Sequence, residues 1–269
     1  MSVQPLTFPD PLPLRSRNPF RIIAAELKYG FVTLPRSPVA MVVTLLLPLA
    51  FNLLFNLINR ERVVGGVTNV QFTTAAVVVF VIFTSGYFMN AVSIVVARES
   101  GILRRISLTP IPRPIYLSAR VLFSTLTGAI STAIMILVSI VAFGLQLGPS
   151  NIIVLLIAFL LGSYACAVLG MAIARFIPTA EAAVGVAMAT MLPLMFASGV
   201  FFPIDGMPEI VRGALGLLPV QPMAETVRLA FHTSTVDLLS LGPELGVLTA
   251  WAVLGTTLVA KTMRWEPRR

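Results

Sequence analysis

The chain has 269 residues, of which 57% are hydrophobic and 11% charged, and its mean hydropathy is +0.93. A soluble domain carries about 25% charged residues, so this composition argues against one and for a membrane protein. The net charge of +8 reflects 19 Lys and Arg against 11 Asp and Glu, but no aromatic platform interleaves with the basic residues, and no nucleic acid is expected as a partner.

Residues 1–18 are proline-rich and lack an apolar run, which predicts a disordered cytoplasmic lead rather than a cleavable signal. Residues 19–269 form one transmembrane domain, because no stretch outside the apolar segments is long enough to fold with its own core. Asn18 is placed to cap a helix and Pro19 to occupy its first position. The following residues put Phe20, Ile23, Ala24, Leu27, Phe31 and Leu34 on one stripe, with Arg21, Ala25 and Lys28 on another and Glu26 nearby. Such a helix lies in the headgroup layer.

Six apolar stretches follow, at about 39–59, 72–97, 121–145, 152–174, 182–203 and 245–263. Each reaches the roughly 20 residues that a helix needs to cross about 30 Å of hydrocarbon, and backbone polarity makes every one a helix. Between the second and third, Gly101–Leu108 predicts a short helix with Ile102, Leu103 and Ile106 facing one way. Pro110, Pro112 and Pro114 then stop it and stiffen the return to the membrane. Between the fifth and sixth, Met207, Ile210, Val211, Ala214, Leu215 and Leu218 recur at helical spacing between Pro208 and Pro219. This helix is too short to span and apolar enough to dip into the membrane, where Asp205, Glu209 and Arg212 keep one face wet. A second short helix is expected at about 221–232, with Glu225 and Arg228 paired one turn apart.

Charge sets the orientation. Arg60, Arg62, Arg212 and Arg228 are the exceptions among 19 basic residues; all the others fall before the first span, after even-numbered spans or in the tail. Positive-inside bias places both termini in the cytoplasm. Within the spans, Asn52, Asn56, Ser85 and Asn90 are uncharged polar groups that either face a conduit or bond helix to helix. Gly162, Cys166, Gly170 and Ala174 form a ladder of small residues for close packing. The lone cysteine excludes an intramolecular disulfide framework. His232 has no other ligand type near it, so no metal site is expected. The sequence has no phosphate loop of the GxxxxGK[ST] form, no HExxH and no GxSxG, and it has no ionisable residue near a span centre. Active transport would therefore draw on ATP hydrolysed by another polypeptide.

Two segments carry a resemblance: RESGILRRISLTPIPRPIYLSARVL at 98–122 and ASGVFFPIDGMPEIVRGALGLLPVQPMAETVR at 197–228. Over about 20–263 the chain resembles the permease subunits of type-2 ABC exporters, the group containing bacterial drug, polysaccharide and lipo-oligosaccharide export permeases. Glu99, Gly101, Leu103 and the Thr109-Pro110 turn match that family's coupling-helix pattern. Ser198, Gly199, Phe202, Pro203, Met207, Pro208, Leu218, Pro219 and Pro222 match its extracellular re-entrant stretch. The resemblance implies an all-α polytopic fold with six transmembrane helices, an N-terminal amphipathic elbow helix, a coupling helix and re-entrant helices between spans five and six. It also implies a bacterial cytoplasmic-membrane exporter of an amphipathic drug, lipid or glycan. Its partners would be a cytoplasmic ATP-binding subunit, a second copy or homologous permease, and membrane lipids. ATP and Mg would bind the partner and no cofactor this chain, in which Arg98, Glu99, Arg104 and Arg105 would transmit force. The alternatives are a non-transporting membrane partner of an ATPase, a proton-driven exporter and an integral membrane enzyme. The dispersed acidic residues weigh against the enzyme, and the lack of an ionisable residue near a span centre weighs against the proton-driven exporter.

Overall fold

Backbone polar groups in hydrocarbon must be bonded within their own segment, and the chain meets that requirement with helices. A computed structural model describes residues 19–36, 41–58, 63–64, 67–109, 111–200, 208–231 and 241–262. Pro110, Asp205 and Met207 lie outside them. Ten helices are described: α1 (Pro19–Thr33), α2 (Val42–Ile58), α3 (Asn69–Glu99), α4 (Ile102–Ser107), α5 (Arg113–Phe143), α6 (Pro149–Ile173), α7 (Ala180–Ala197), α8 (Glu209–Gly216), α9 (Val220–Ala230) and α10 (Gly242–Thr262). Among the described residues α3, α5, α6 and α10 are long and apolar enough to cross a bilayer, while α2 and α7 are apolar but shorter. The expected six spans thus correspond to four long helices and two short ones. Residues 39–40, 59 and 201–203 of the expected first and fifth spans fall outside the described residues.

The α3 helix is the axis. It packs against α2, α5, α6, α7 and α9, and nearly all of its side chains are buried. A short antiparallel ribbon, β1 (Val63–Val64) with β2 (Val67–Thr68), leads into it in the register Val63↔Thr68, a feature the hydropathy pattern does not predict. Thr68 ends the ribbon and begins the helix. Its Oγ1 accepts from the Gln71 N–H at 3.4 Å, and Gln71 Oε1 accepts from the Thr68 N–H at 3.0 Å, satisfying two donors of the first turn.

Two helices contain a π-helical segment. In α2 the segment Val42–Leu46 precedes Pro48, which has no N–H for the Thr44 carbonyl. Ser131 of α5 supplies the missing donor, its Oγ 2.8 Å from that carbonyl. In α3 the segment Thr84–Phe88 lies where α6 comes closest. A Cβ on Gly170 would stand 2.2 Å from the Tyr87 carbonyl oxygen, and one on Gly86 would stand 2.9 Å from the Cys166 Cβ. The small-residue ladder of α6 is therefore the surface on which α3 and, further along, Met223 of α9 are seated.

Two expectations need correction. α5 begins at Arg113, well before 121, so Pro112 and Pro114 start a helix instead of stiffening a loop: Pro112 is its N-cap and Pro114 sits in the first turn, where a missing N–H costs nothing. Its far end closes with Gly144 at φ 68°, whose N–H reaches the Ile140 carbonyl while that of Leu145 reaches Ser139. Second, α1 is turned slightly from the predicted stripe, of which Ile23, Leu27 and Phe31 keep to the protein side. Phe20 and Ala24 point outward, and Ile22, Ile23, Glu26, Leu27, Gly30 and Phe31 face the protein. Gly30 fixes that rotation, because a Cβ there would be 2.6 Å from the Phe123 ring of α5, and the Phe31 ring meets Phe123 edge-on at 5.2 Å. The second short helix expected after α8 is α9, and it is buried. It is inserted among α3, α6 and α10 with Val220, Met223, Val227 and Ala230 fully buried.

Candidate functional site

At the α4 end of the molecule, α3 finishes in a turn that only glycine adopts cheaply. Gly101 has φ 73° and serves as the N-cap of α4. With the chain reversed there, Leu103 drops into a cluster with Ile94, Val95, Tyr116, Met171 and Ile177, and it is wholly buried. Arg104 and Arg105 are exposed, Ile106 is half-buried, and Ile102 is on the open side.

Arg98 and Glu99 do something the sequence reading missed. Arg98 is buried, and its guanidinium donates to the carbonyls of Ala174 at 3.1 Å, Ile177 at 2.6 Å and Pro178 at 3.3 Å. Those carbonyls belong to the turn between α6 and α7. Glu99 Oε2 accepts from the Ala180 N–H at 2.6 Å, placing a carboxylate at the N-terminus of α7, where the helix dipole favours it. Two consecutive residues thus clasp the end of α3 to the α6–α7 turn. Of the expected contact residues, Arg104 and Arg105 present charge outward, Leu103 and Arg98 hold the platform from inside, and Gly101 shapes it.

The four polar residues expected along a path divide into two pairs. Asn52 and Asn56 are both fully buried. Asn52 Nδ2 donates to Thr74 Oγ1 at 3.3 Å, Ser139 Oγ donates to Asn52 Oδ1 at 3.0 Å, and Asn56 Nδ2 donates to Asn52 Oδ1 at 3.3 Å. This network joins α2, α3 and α5. Ser85 and Asn90 instead border a cavity of about 720 Å³. Ser85 Oγ donates to the Val81 carbonyl at 2.7 Å, and Asn90 Nδ2 donates to Gly86 at 2.6 Å and to Ser124 Oγ at 2.9 Å. The cavity lies between α1, α2, α3, α4 and α5, and Glu26, Tyr29, Ile102 and Arg120 also line it. Glu26 and Arg120 read in sequence only as a wet helix face and a topology charge. The available signal was Pro114, which as a first-turn proline would have put Arg120 two turns inside α5.

On the opposite side, α8 is exposed, with Ile210 87% accessible and Leu217 67%. Leu215 is half-buried and Pro208 caps the helix from outside, whereas Pro219 is buried at the start of α9. Trp251 of α10 donates through Nε1 to the Leu217 carbonyl at 2.7 Å. Glu225 and Arg228 pair as expected, at 3.1 Å. Arg228 also donates to the Gly199 carbonyl and lies over the Phe72 ring, 5.4 Å from its centroid.

The described helices, the buried polar cross-links and the basic platform define a multi-pass, all-helical membrane protein. A family model described as "ABC-2 family transporter protein" matches residues 54–261, and the chain belongs to that family. It is also similar to the protein of Cyanophora paradoxa named "Putative transport permease ycf38", 25% identical over 255 residues that cover 88% of this chain and 87% of the relative. A transport-permease role follows from the family. No group of three His, Cys, Asp or Glu among the described residues could hold a metal ion.

Proposed function

We propose that this chain is the membrane-embedded permease of an ATP-driven exporter, docked through α4 on a separate cytoplasmic ATP-binding subunit and paired with a second permease. In this reading 19–269 is a single permease domain of six spans, with α2 and α7 as the first and fifth. α1 is the elbow helix, α4 the coupling helix, and α8 and α9 the elements between the last two spans. Both termini face the cytoplasm of a bacterial inner membrane. Cargo is an amphipathic drug, lipid or glycan moved outward between the two permeases, with ATP and Mg held by the partner.

The observation that carries this reading is the construction of the α4 end. An element that receives force from a soluble motor must be charged outside, anchored inside and tied to more than one span. Arg104 and Arg105 are exposed above a wholly buried Leu103, and Arg98 with Glu99 couples α3 to the turn between α6 and α7. A push on α4 is thereby delivered to three long or short spans together. α8, exposed and tethered to α10 through Trp251, acts as an outer lid, with Asp205, Met207, Pro208, Leu215 and Pro219 marking the expected re-entrant stretch.

Reversing the platform charge tests the docking. Arg104→Glu with Arg105→Glu should leave membrane insertion intact and abolish co-purification of the ATP-binding subunit together with export. Full export and undiminished co-purification in that double variant would refute the coupling role.

A further inference from the structure

The cavity beside α1 has the polarity of a lipid site and is lined by five helices of this chain. One end is bordered by a carboxylate, Glu26, and a guanidinium, Arg120. The two make no ion pair with each other, although both lie close enough to Tyr116 to influence its hydroxyl. Arg120 is held in place: its Nη2 donates to the Ser93 carbonyl at 3.4 Å, and its guanidinium carbon lies 5.6 Å from the Tyr116 ring centroid. Its Nε is buried without a hydrogen-bond partner. The guanidinium as a whole lines the cavity, and its charge favours an anionic oxygen arriving there.

Depth gives the rest. α5 is 31 residues long, about 46 Å at 1.5 Å per residue, against a hydrocarbon core of about 30 Å. The apolar run begins at Val121, so the turns before it face the headgroup layer and Arg120 sits at that boundary. α1, which carries Glu26, packs alongside on the same helix. Deeper in, the hydroxyls of Ser85, Ser124 and Thr127 are bonded to backbone carbonyls of their own helices, and Met89, Ala119 and Phe123 supply apolar wall beside them. The volume, about 720 Å³, falls within the range of about 300–1,000 Å³ usual for small-molecule sites.

We propose that this cavity binds one zwitterionic phospholipid of the ethanolamine type per subunit, with the phosphate on Arg120, the ammonium on Glu26 and the glycerol region against Phe123 and Met89. Two opposite charges that face one cavity without pairing match a headgroup bearing two opposite charges. An anionic glycerol headgroup satisfies Arg120 but is repelled by Glu26. The lining residues all come from one chain, and on the proposed reading cargo passes between two permeases, so the lipid bound here is a resident component and not the cargo. The proposal holds whatever the transporter moves, and the platform variants above test that other reading separately.

The full-length protein, reconstituted in nanodiscs of equimolar phosphatidylethanolamine and phosphatidylglycerol and then released into mild detergent, should retain one phosphatidylethanolamine per chain in native mass spectra. Glu26→Gln lies on a surface helix and removes only the partner of the ammonium. It should lower the preference for phosphatidylethanolamine over phosphatidylglycerol about tenfold, the equivalent of about 1.4 kcal/mol. Arg120→Gln should abolish retention of both lipids, and Ser93→Phe should do the same by filling the cavity. Equal retention of the two lipids by the wild type, or an unchanged ratio in Glu26→Gln, overturns the proposal. So does the absence of any retained lipid, the outcome expected if α1 instead closes until Glu26 and Arg120 pair directly.

Discussion

Replacing Arg98 with methionine keeps the length of the side chain and deletes every donor it offers to the α6–α7 turn. Three carbonyls accept from that guanidinium, but they will not suffer equally. Pro178 is exposed and can turn to water, whereas Ala174 and Ile177 are 1% and 0% accessible and cannot. A buried carbonyl stripped of its donor costs about 1–3 kcal/mol, so the two together cost about 2–6 kcal/mol. Relief from burying a charge offsets part of that, which puts the net loss near 3 kcal/mol. For a chain of this size 1 kcal/mol shifts Tm by about 2–4 °C, so Arg98→Met should lower Tm by about 6–12 °C in detergent. Glu99→Gln, at an exposed site with a single backbone contact, should change it by no more than about 2 °C. Differential scanning fluorimetry of the two purified variants checks both values. Arg98→Met melting within about 2 °C of the wild type would show that the clasp is incidental.

The α3–α6 contact predicts that Gly170→Ala fails to accumulate as a folded protein, since its Cβ would meet the Tyr87 backbone, while Gly185→Ala, with open space around it, behaves as wild type; fluorescence-detected gel filtration separates these outcomes. Asn52→Leu leaves Asn56, Thr74 and Ser139 without their shared partner and should cost about 1–3 kcal/mol in detergent unfolding, with a smaller loss if Ser139 is changed to alanine as well. Charge asymmetry predicts that cysteines placed at Ser16 and Ser107 react only from the cytoplasmic side and one at Thr233 only from outside. Cys166 is buried and contributes no background; labelling of Ser107 in intact cells by an impermeant reagent would reverse the assigned topology.

Hydropathy located every long helix to within a turn or two, except the start of α5. Proline has two meanings at a helix boundary, and composition cannot choose between a terminator and a first-turn residue. The Glu225–Arg228 pair was legible because it is local. The Arg98 clasp was not, because its acceptors lie 76 to 80 residues away and are backbone carbonyls that carry no side-chain signature. The burial of α9, Gln221 included, was not legible, because the small residues of α6 that admit the helix are in a different part of the sequence. Glu26 was visible as a charge on α1, but the rotation that turns it inward depends on Gly30 meeting Phe123, a contact between distant segments.

The notch at Gly162 also imposes an order of events during synthesis. It is filled by Met223, whose sulfur also lies 4.0 Å from that of Cys166, 57 residues earlier in the chain. At about 5–20 residues per second, α6 resides in the bilayer for roughly 3–11 s before its partner has left the ribosome. During that interval acyl chains occupy the groove. α9 must then expel them as it docks, so the final assembly step is a competition between a peptide segment and lipid for one surface, and its speed will depend on the fluidity of the membrane into which the chain is born.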